Sequence, residues 1–145
     1  MRSTNNLEDF KINVKFKLSA LWTSLMFCYV YGDFFSLFVP GRIQNLMSGN
    51  SGTGSTTPWT LLIYAILLTI PSLMIFLSLA LKPKVNRLAN IYVGIFFTVV
   101  MLLVTVTSIS KWMIFYVFLG NIEIIITCLI TWHAWKWPKQ GDPAE

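Results

Sequence analysis

The chain has 145 residues, 55% of them hydrophobic and only 12% charged, with a formal charge of +5. A soluble domain carries about 25% charged residues, so this composition argues against a water-soluble globule and for one helical unit in a membrane. The positive charges flank apolar segments and form no polar patch, which argues against nucleic-acid binding and fits a membrane topology signal instead.

Taken in order, residues 1–6 are polar and read as disordered. From 10 to 18 the pattern alternates: Phe10, Ile12, Val14, Phe16 and Leu18 are apolar, while Lys11, Asn13, Lys15 and Lys17 are not. A period of two predicts an extended segment, lying on the membrane with its lysines on anionic lipid; a frayed helical start is the alternative. Residues 18–39 form the first apolar run and carry Asp33. Pro40-Gly41 stops it, and residues 40–58, rich in Gly, Ser and Thr, read as a flexible loop. The second run, 59–81, holds Pro71, which a membrane helix tolerates with a kink. Lys82-Pro83-Lys84 ends it, the third run covers 88–109, the fourth 112–135, and residues 136–145 form a polar tail. Each run is long enough to cross about 30 Å of hydrocarbon as a helix. The expected fold is therefore all-α, one membrane domain built as an up-down-up-down four-helix bundle.

Orientation follows from the basic residues. Arg2, Lys11, Lys15, Lys17, Lys82, Lys84, Arg87, Lys136 and Lys139 fall on one side of such a bundle, and only Arg42 and Lys111 on the other. The positive-inside rule places both termini in the cytoplasm, with segment 1–17 cytoplasmic and loop 40–58 external. The tryptophans agree if Trp22, Trp132, Trp135 and Trp137 mark the inner interface and Trp59 and Trp112 the outer one. The first run is too long for a signal h-region and lacks an A-x-A-like cleavage site, so it reads as a retained span.

Helical spacing puts Tyr116, Gly120, Glu123, Thr127 and Thr131 on one stripe of the fourth run. It puts Asn90, Gly94, Thr98, Thr105 and Ser108 on one stripe of the third. Small and hydroxylated residues mediate helix packing in lipid, which suffices for most of these. Asp33 and Glu123 differ, because an ionisable group inside a span is costly and marks a candidate site. At about 1.5 Å per residue, Asp33 lies roughly 9 Å and Glu123 roughly 15 Å from the outer helix ends. No Lys or Arg lies within a span to neutralise them, and two neighbouring carboxyls can share a proton. Tyr29 sits one turn from Asp33 and Tyr116 two turns from Glu123, each with a phenol to offer. The candidate ligand or proton site is thus Asp33, Glu123, Tyr29, Tyr116 and Asn90, against the alternative that the carboxyls only bind helix to helix. Cys28 and Cys128 form no C-x-x-C pair and read as small apolar side chains. His133 is the one histidine, among tryptophans, and reads as structural. No metal spacing, phosphate loop or nucleophile elbow is present, so no cofactor is expected.

Three segments carry a resemblance. Tyr29, Tyr31 and Asp33 form a Tyr-x-Tyr-x-Asp pattern, and Asn86, Arg87, Ala89 and Asn90 form an N-R-x-A-N turn. Ile122 and Glu123 precede Trp132, Ala134, Trp135 and Lys136 in a W-x-A-W-K pattern. With these the chain resembles a family of short, uncharacterised bacterial four-span membrane proteins, over nearly its whole length except the Gly/Ser-rich loop. More remotely it is similar to the DoxX-like superfamily of four-helix membrane proteins, some linked to quinone and sulfur redox chemistry. The resemblance implies a location in the bacterial inner membrane and the four-helix fold. An arginine early in the first helix, common in that superfamily, and paired cysteines are both missing here, so the redox role gains little.

The expected function is that of a non-enzymatic integral membrane protein binding a small lipophilic or cationic ligand, or a proton, through Asp33 and Glu123. Its expected partners are membrane lipids, that ligand and further copies of the chain. One alternative is a redox or isomerase enzyme acting on a quinone-like substrate; another is an oligomeric proton-coupled transporter.

Overall fold

The computed structural model describes residues 11–51 and 54–138, and among them every long element is a helix. Helix α1 spans Val14–Ser36, α2 Arg42–Met47, α3 Pro58–Ala80, α4 Pro83–Thr107 and α5 Ile114–Trp135, the last preceded by a 3₁₀ turn at Lys111–Met113. Local chemistry sets the starts. The Asn13 side chain accepts the Lys15 amide at 2.9 Å, and Thr57 accepts that of Thr60 at 3.2 Å, each relieving a first-turn donor. Pro58 and Pro83 occupy first-turn positions, where no amide hydrogen is needed.

Helix α1 begins four residues earlier than the alternating pattern predicts, so residues 14–18 are helical and not extended. Phe10, the first residue of that pattern, lies outside the described residues, as do 1–6, Arg2 and Lys139. The helix satisfies the pattern in another way. Val14 and Leu18, four apart, share a face; Leu18 is fully buried and Val14 packs on the core. Lys15 is not left to lipid headgroups either: its ammonium donates to the carbonyls of Leu79 and Leu81 at 3.0 and 2.7 Å, capping the end of α3.

The stretch expected to be a flexible loop is also partly built. Gly41 (φ 78°) turns the chain into α2, Gly49 (φ 77°) turns it out, and Asn50 and Ser55 form an isolated antiparallel bridge. Both glycines stand in the left-handed region, where a Cβ would be strained.

The chain-sequential long helices run antiparallel to one another. Ser19 Oγ donates to the Ile75 carbonyl and Ser72 Oγ to Met26 Sδ between α1 and α3. Thr98 meets Thr127 between α4 and α5, hydroxyl to hydroxyl at 2.9 Å. Helix α1 packs extensively on α3 and α5, and α5 on α4, whereas α3 and α4 touch only sparsely. Val14, Ala80, Pro83 and Trp135 thus share one end of the bundle, here called proximal, and Ser36, Pro58, Thr107 and Ile114 share the other, distal, end. The core includes Leu18, Trp22, Leu25, Phe97, Met101 and Ile130, with Trp22 and Phe97 edge to face at 6.2 Å.

Large apolar side chains also cover the outside: Phe27, Ile63, Phe76, Leu103 and Phe118 are all more than half exposed. Three helices, Pro58–Ala80, Pro83–Thr107 and Lys111–Trp135, are long and apolar enough to cross a membrane. Helix α1 equals α3 in length, at 23 residues, and carries Lys15, Lys17 and Asp33 besides. An apolar exterior of this kind belongs in lipid or against a partner.

Candidate functional site

The proximal end holds a closed polar network. Trp22 Nε1 donates to Asn90 Oδ1 at 2.7 Å, and Ser78 Oγ to the same oxygen at 3.3 Å. The Asn90 amide donates to both oxygens of Asn86, and Asn86 in turn to the Ser78 carbonyl. Trp22, Ser78, Asn86 and Asn90 have no exposed surface at all. Trp22, expected in an interfacial belt, is therefore a core residue whose indole joins α1 to α4. The reason is helical spacing: Leu18, Trp22, Leu25 and Tyr29 lie on one face, and that face meets the bundle interior. Trp132 and Trp135 at this end, and Trp59 and Trp112 at the other, are exposed. Asn90 lies in this network, away from the carboxyls with which its sequence grouped it.

The distal end is open. A cavity of about 570 Å³ is lined by Asp33 and Ser36 from α1, Arg42 from α2, Tyr64, Leu67 and Leu68 from α3, Val104 and Thr107 from α4, and Tyr116 from α5. Asp33 is exposed to it, one turn from the end of α1. It lies shallower than a run to residue 39 implies, because the residue before Pro40 is steered away from helical geometry and α1 ends at Ser36. The same break folds the chain back so that Arg42 reaches the cavity and acts electrostatically on Asp33. The short helix α2 that follows α1 thus supplies the cation of this end. Arg42 was missed among the candidates because its distance along the chain says nothing about the turn at Pro40-Gly41.

Deeper, toward the middle of the bundle, Tyr29, Glu123 and Thr105 converge from α1, α5 and α4. Their residual exposures are 8%, 7% and 8%. The Tyr29 hydroxyl and Thr105 Oγ1 are buried with no hydrogen-bond partner, and no hydrogen bond reaches the Glu123 carboxyl among the described residues. Glu123 is within electrostatic reach of Asp33, Tyr29 and Tyr116. The tyrosines thus couple the two carboxyls, though in the crossed sense: Tyr29, on the helix of Asp33, faces Glu123, while Tyr116, on the helix of Glu123, lines the cavity with Asp33. Thr105 stands against Gly120, where any Cβ would collide with its hydroxyl, so a small residue lets α4 and α5 close around this point. Such a cluster can hold a proton, or receive a polar group of a molecule entering from the cavity.

His133 is half-buried near the proximal end, and Cys28 and Cys128 are free thiols. No group of three metal-ligating side chains occurs among the described residues.

Comparison with protein families adds one result: the chain belongs to a family of unknown function, DUF6326, whose pattern matches residues 6–143. That description names no activity and carries no link to the DoxX-like superfamily. Comparison with curated proteins and with solved structures gives no match.

Proposed function

We propose that this is a four-span protein of the bacterial cytoplasmic membrane, with both termini inside, that binds a small amphipathic ligand in its distal, outward-facing cavity. One observation carries the binding reading: two hydroxyls, Tyr29 and Thr105, are buried without a hydrogen-bond partner near the buried Glu123, toward the cavity end of the helices. A buried polar group without a partner costs about 1–3 kcal/mol, and helix contacts alone would not gather two beside a carboxyl. Asp33 and Tyr116 at the cavity wall and Glu123 and Tyr29 below it are the binding groups, and Asn90 serves the proximal network.

Two experiments test this. Native mass spectrometry of the full chain, released from its own membrane in mild detergent, should find one co-purifying molecule that Glu123→Gln releases while melting stays unchanged. Bulk phospholipid alone, identical in wild type and variant, would sink the binding reading. Span number and orientation are read separately, in a Cys28→Ser, Cys128→Ser background. Met47→Cys should label only from the outside of cells and Lys84→Cys only from the inside.

A further inference from the structure

Resting on the binding reading, we propose that the occupant is a zwitterionic amphiphile, an aminophospholipid, with its ammonium on Asp33, its phosphate on Arg42 and an acyl chain leaving between α3 and α4. The cavity wall carries both charges, one from α1 and one from α2. They do not satisfy each other: Arg42 Nε is buried without a hydrogen-bond partner, and no hydrogen bond joins the guanidinium to Asp33 among the described residues. A simple cation would meet Arg42 and a simple anion would meet Asp33, so a ligand of one sign is opposed by one wall. A molecule with an anion and an amine a few bonds apart is matched by both. The planar guanidinium fits phosphate with paired donors, and a carboxylate accepts from a primary ammonium but has no donor to accept from in a quaternary one.

The remaining walls decide between a free zwitterion and a lipid. Leu67 and Leu68 on α3 and Val104 on α4 are apolar, and the two helices that bear them touch sparsely. An acyl chain can follow that seam from the cavity into the surrounding hydrocarbon.

The test reconstitutes the full chain in nanodiscs of phosphatidylethanolamine, phosphatidylglycerol and phosphatidylcholine in equal parts. After mild detergent stripping, the retained lipid is identified. The wild type should enrich phosphatidylethanolamine at least fivefold over each of the others. Asp33→Asn should bring its ratio to phosphatidylglycerol close to that of the bulk, and Arg42→Gln should lower total retained phospholipid, both at unchanged melting temperature. If Asp33→Asn fails to fold, Arg42→Lys keeps the charge, loses the paired donors and should still cut retention severalfold. Bulk lipid ratios in the wild type, with some other molecule retained in a Glu123-dependent way, would overturn this assignment and leave the binding reading standing. Nothing retained that any variant releases would overturn both. Equal binding of water-soluble glycerophosphoethanolamine would overturn the lipid assignment, because the apolar walls would then contribute nothing.

Discussion

The two ends of the bundle use polar residues in opposite ways. At the proximal end Trp22, Ser78, Asn86 and Asn90 are fully buried and fully partnered, linking α1, α3 and α4. At the distal end Asp33 and Arg42 face a cavity, and the Tyr29 and Thr105 hydroxyls lie deeper, buried without a partner near Glu123. A completed network rigidifies, whereas incomplete pairing is tolerated where something else is to be bound. The difference teaches that polarity inside an apolar chain is not one signal: partnered groups hold the helices, and the unpartnered ones are where the proposed binding would occur.

The largest effect should come from opening the closed end. Asn90→Leu strands the Trp22 indole and the Asn86 and Ser78 groups together, and should destabilise the protein by about 2–4 kcal/mol, read as loss of folded protein in a denaturant titration in detergent. A loss below about 0.5 kcal/mol would mean that this network does not hold the bundle.

Next come the glycines. Gly120→Ala drives a methyl group into Thr105 and should cost about 1–3 kcal/mol through overpacking. Gly32→Ala meets the Tyr116 ring at 3.5 Å and Leu119 Cδ1 at 3.6 Å, ordinary contacts, and should stay within about 0.5 kcal/mol. Equal melting shifts for the two would contradict the packing difference between the α4/α5 seam and the cavity wall.

Lys15→Met removes the cap on α3 and should cost about 0.5–1 kcal/mol, with faster amide exchange confined to the last turn of α3 as its signature. The smallest stability effect is the most diagnostic. Tyr29→Phe deletes a hydroxyl that has no partner, so stability should hold or rise slightly, while retention of the bound molecule falls. Trp22→Phe, which deletes a partnered donor, should do the reverse. A large melting loss in Tyr29→Phe would move Tyr29 into the class of Asn90.

Much of this was legible in the residues. Apolar runs of about twenty residues between Pro40-Gly41, Lys82-Pro83 and Ser110-Lys111 require helices, because in hydrocarbon the backbone must satisfy its own hydrogen bonds. That argument is local and independent of neighbours, so the all-helical fold and three membrane-length helices follow from the chain alone. Asp33 and Glu123 stood out for the same reason, as charges where charge is costly.

What the chain alone could not decide was partnership. Nothing in their spacing distinguishes Asn90, spent in a network with Trp22, from Glu123, left unpaired nearer the other end. Trp22 looked interfacial because a tryptophan near a helix start usually is, and α1 turned that face inward. Residues 14–18 alternated like a strand, yet the carbonyls of Leu79 and Leu81 gave Lys15 a partner within a helix. Arg42 became a wall of the cavity only when the turn at Pro40-Gly41 brought α2 over the end of α1. Helix formation is settled by bonds four residues apart, but whether a buried polar atom is satisfied depends on groups dozens of residues away, and only tertiary packing brings those together.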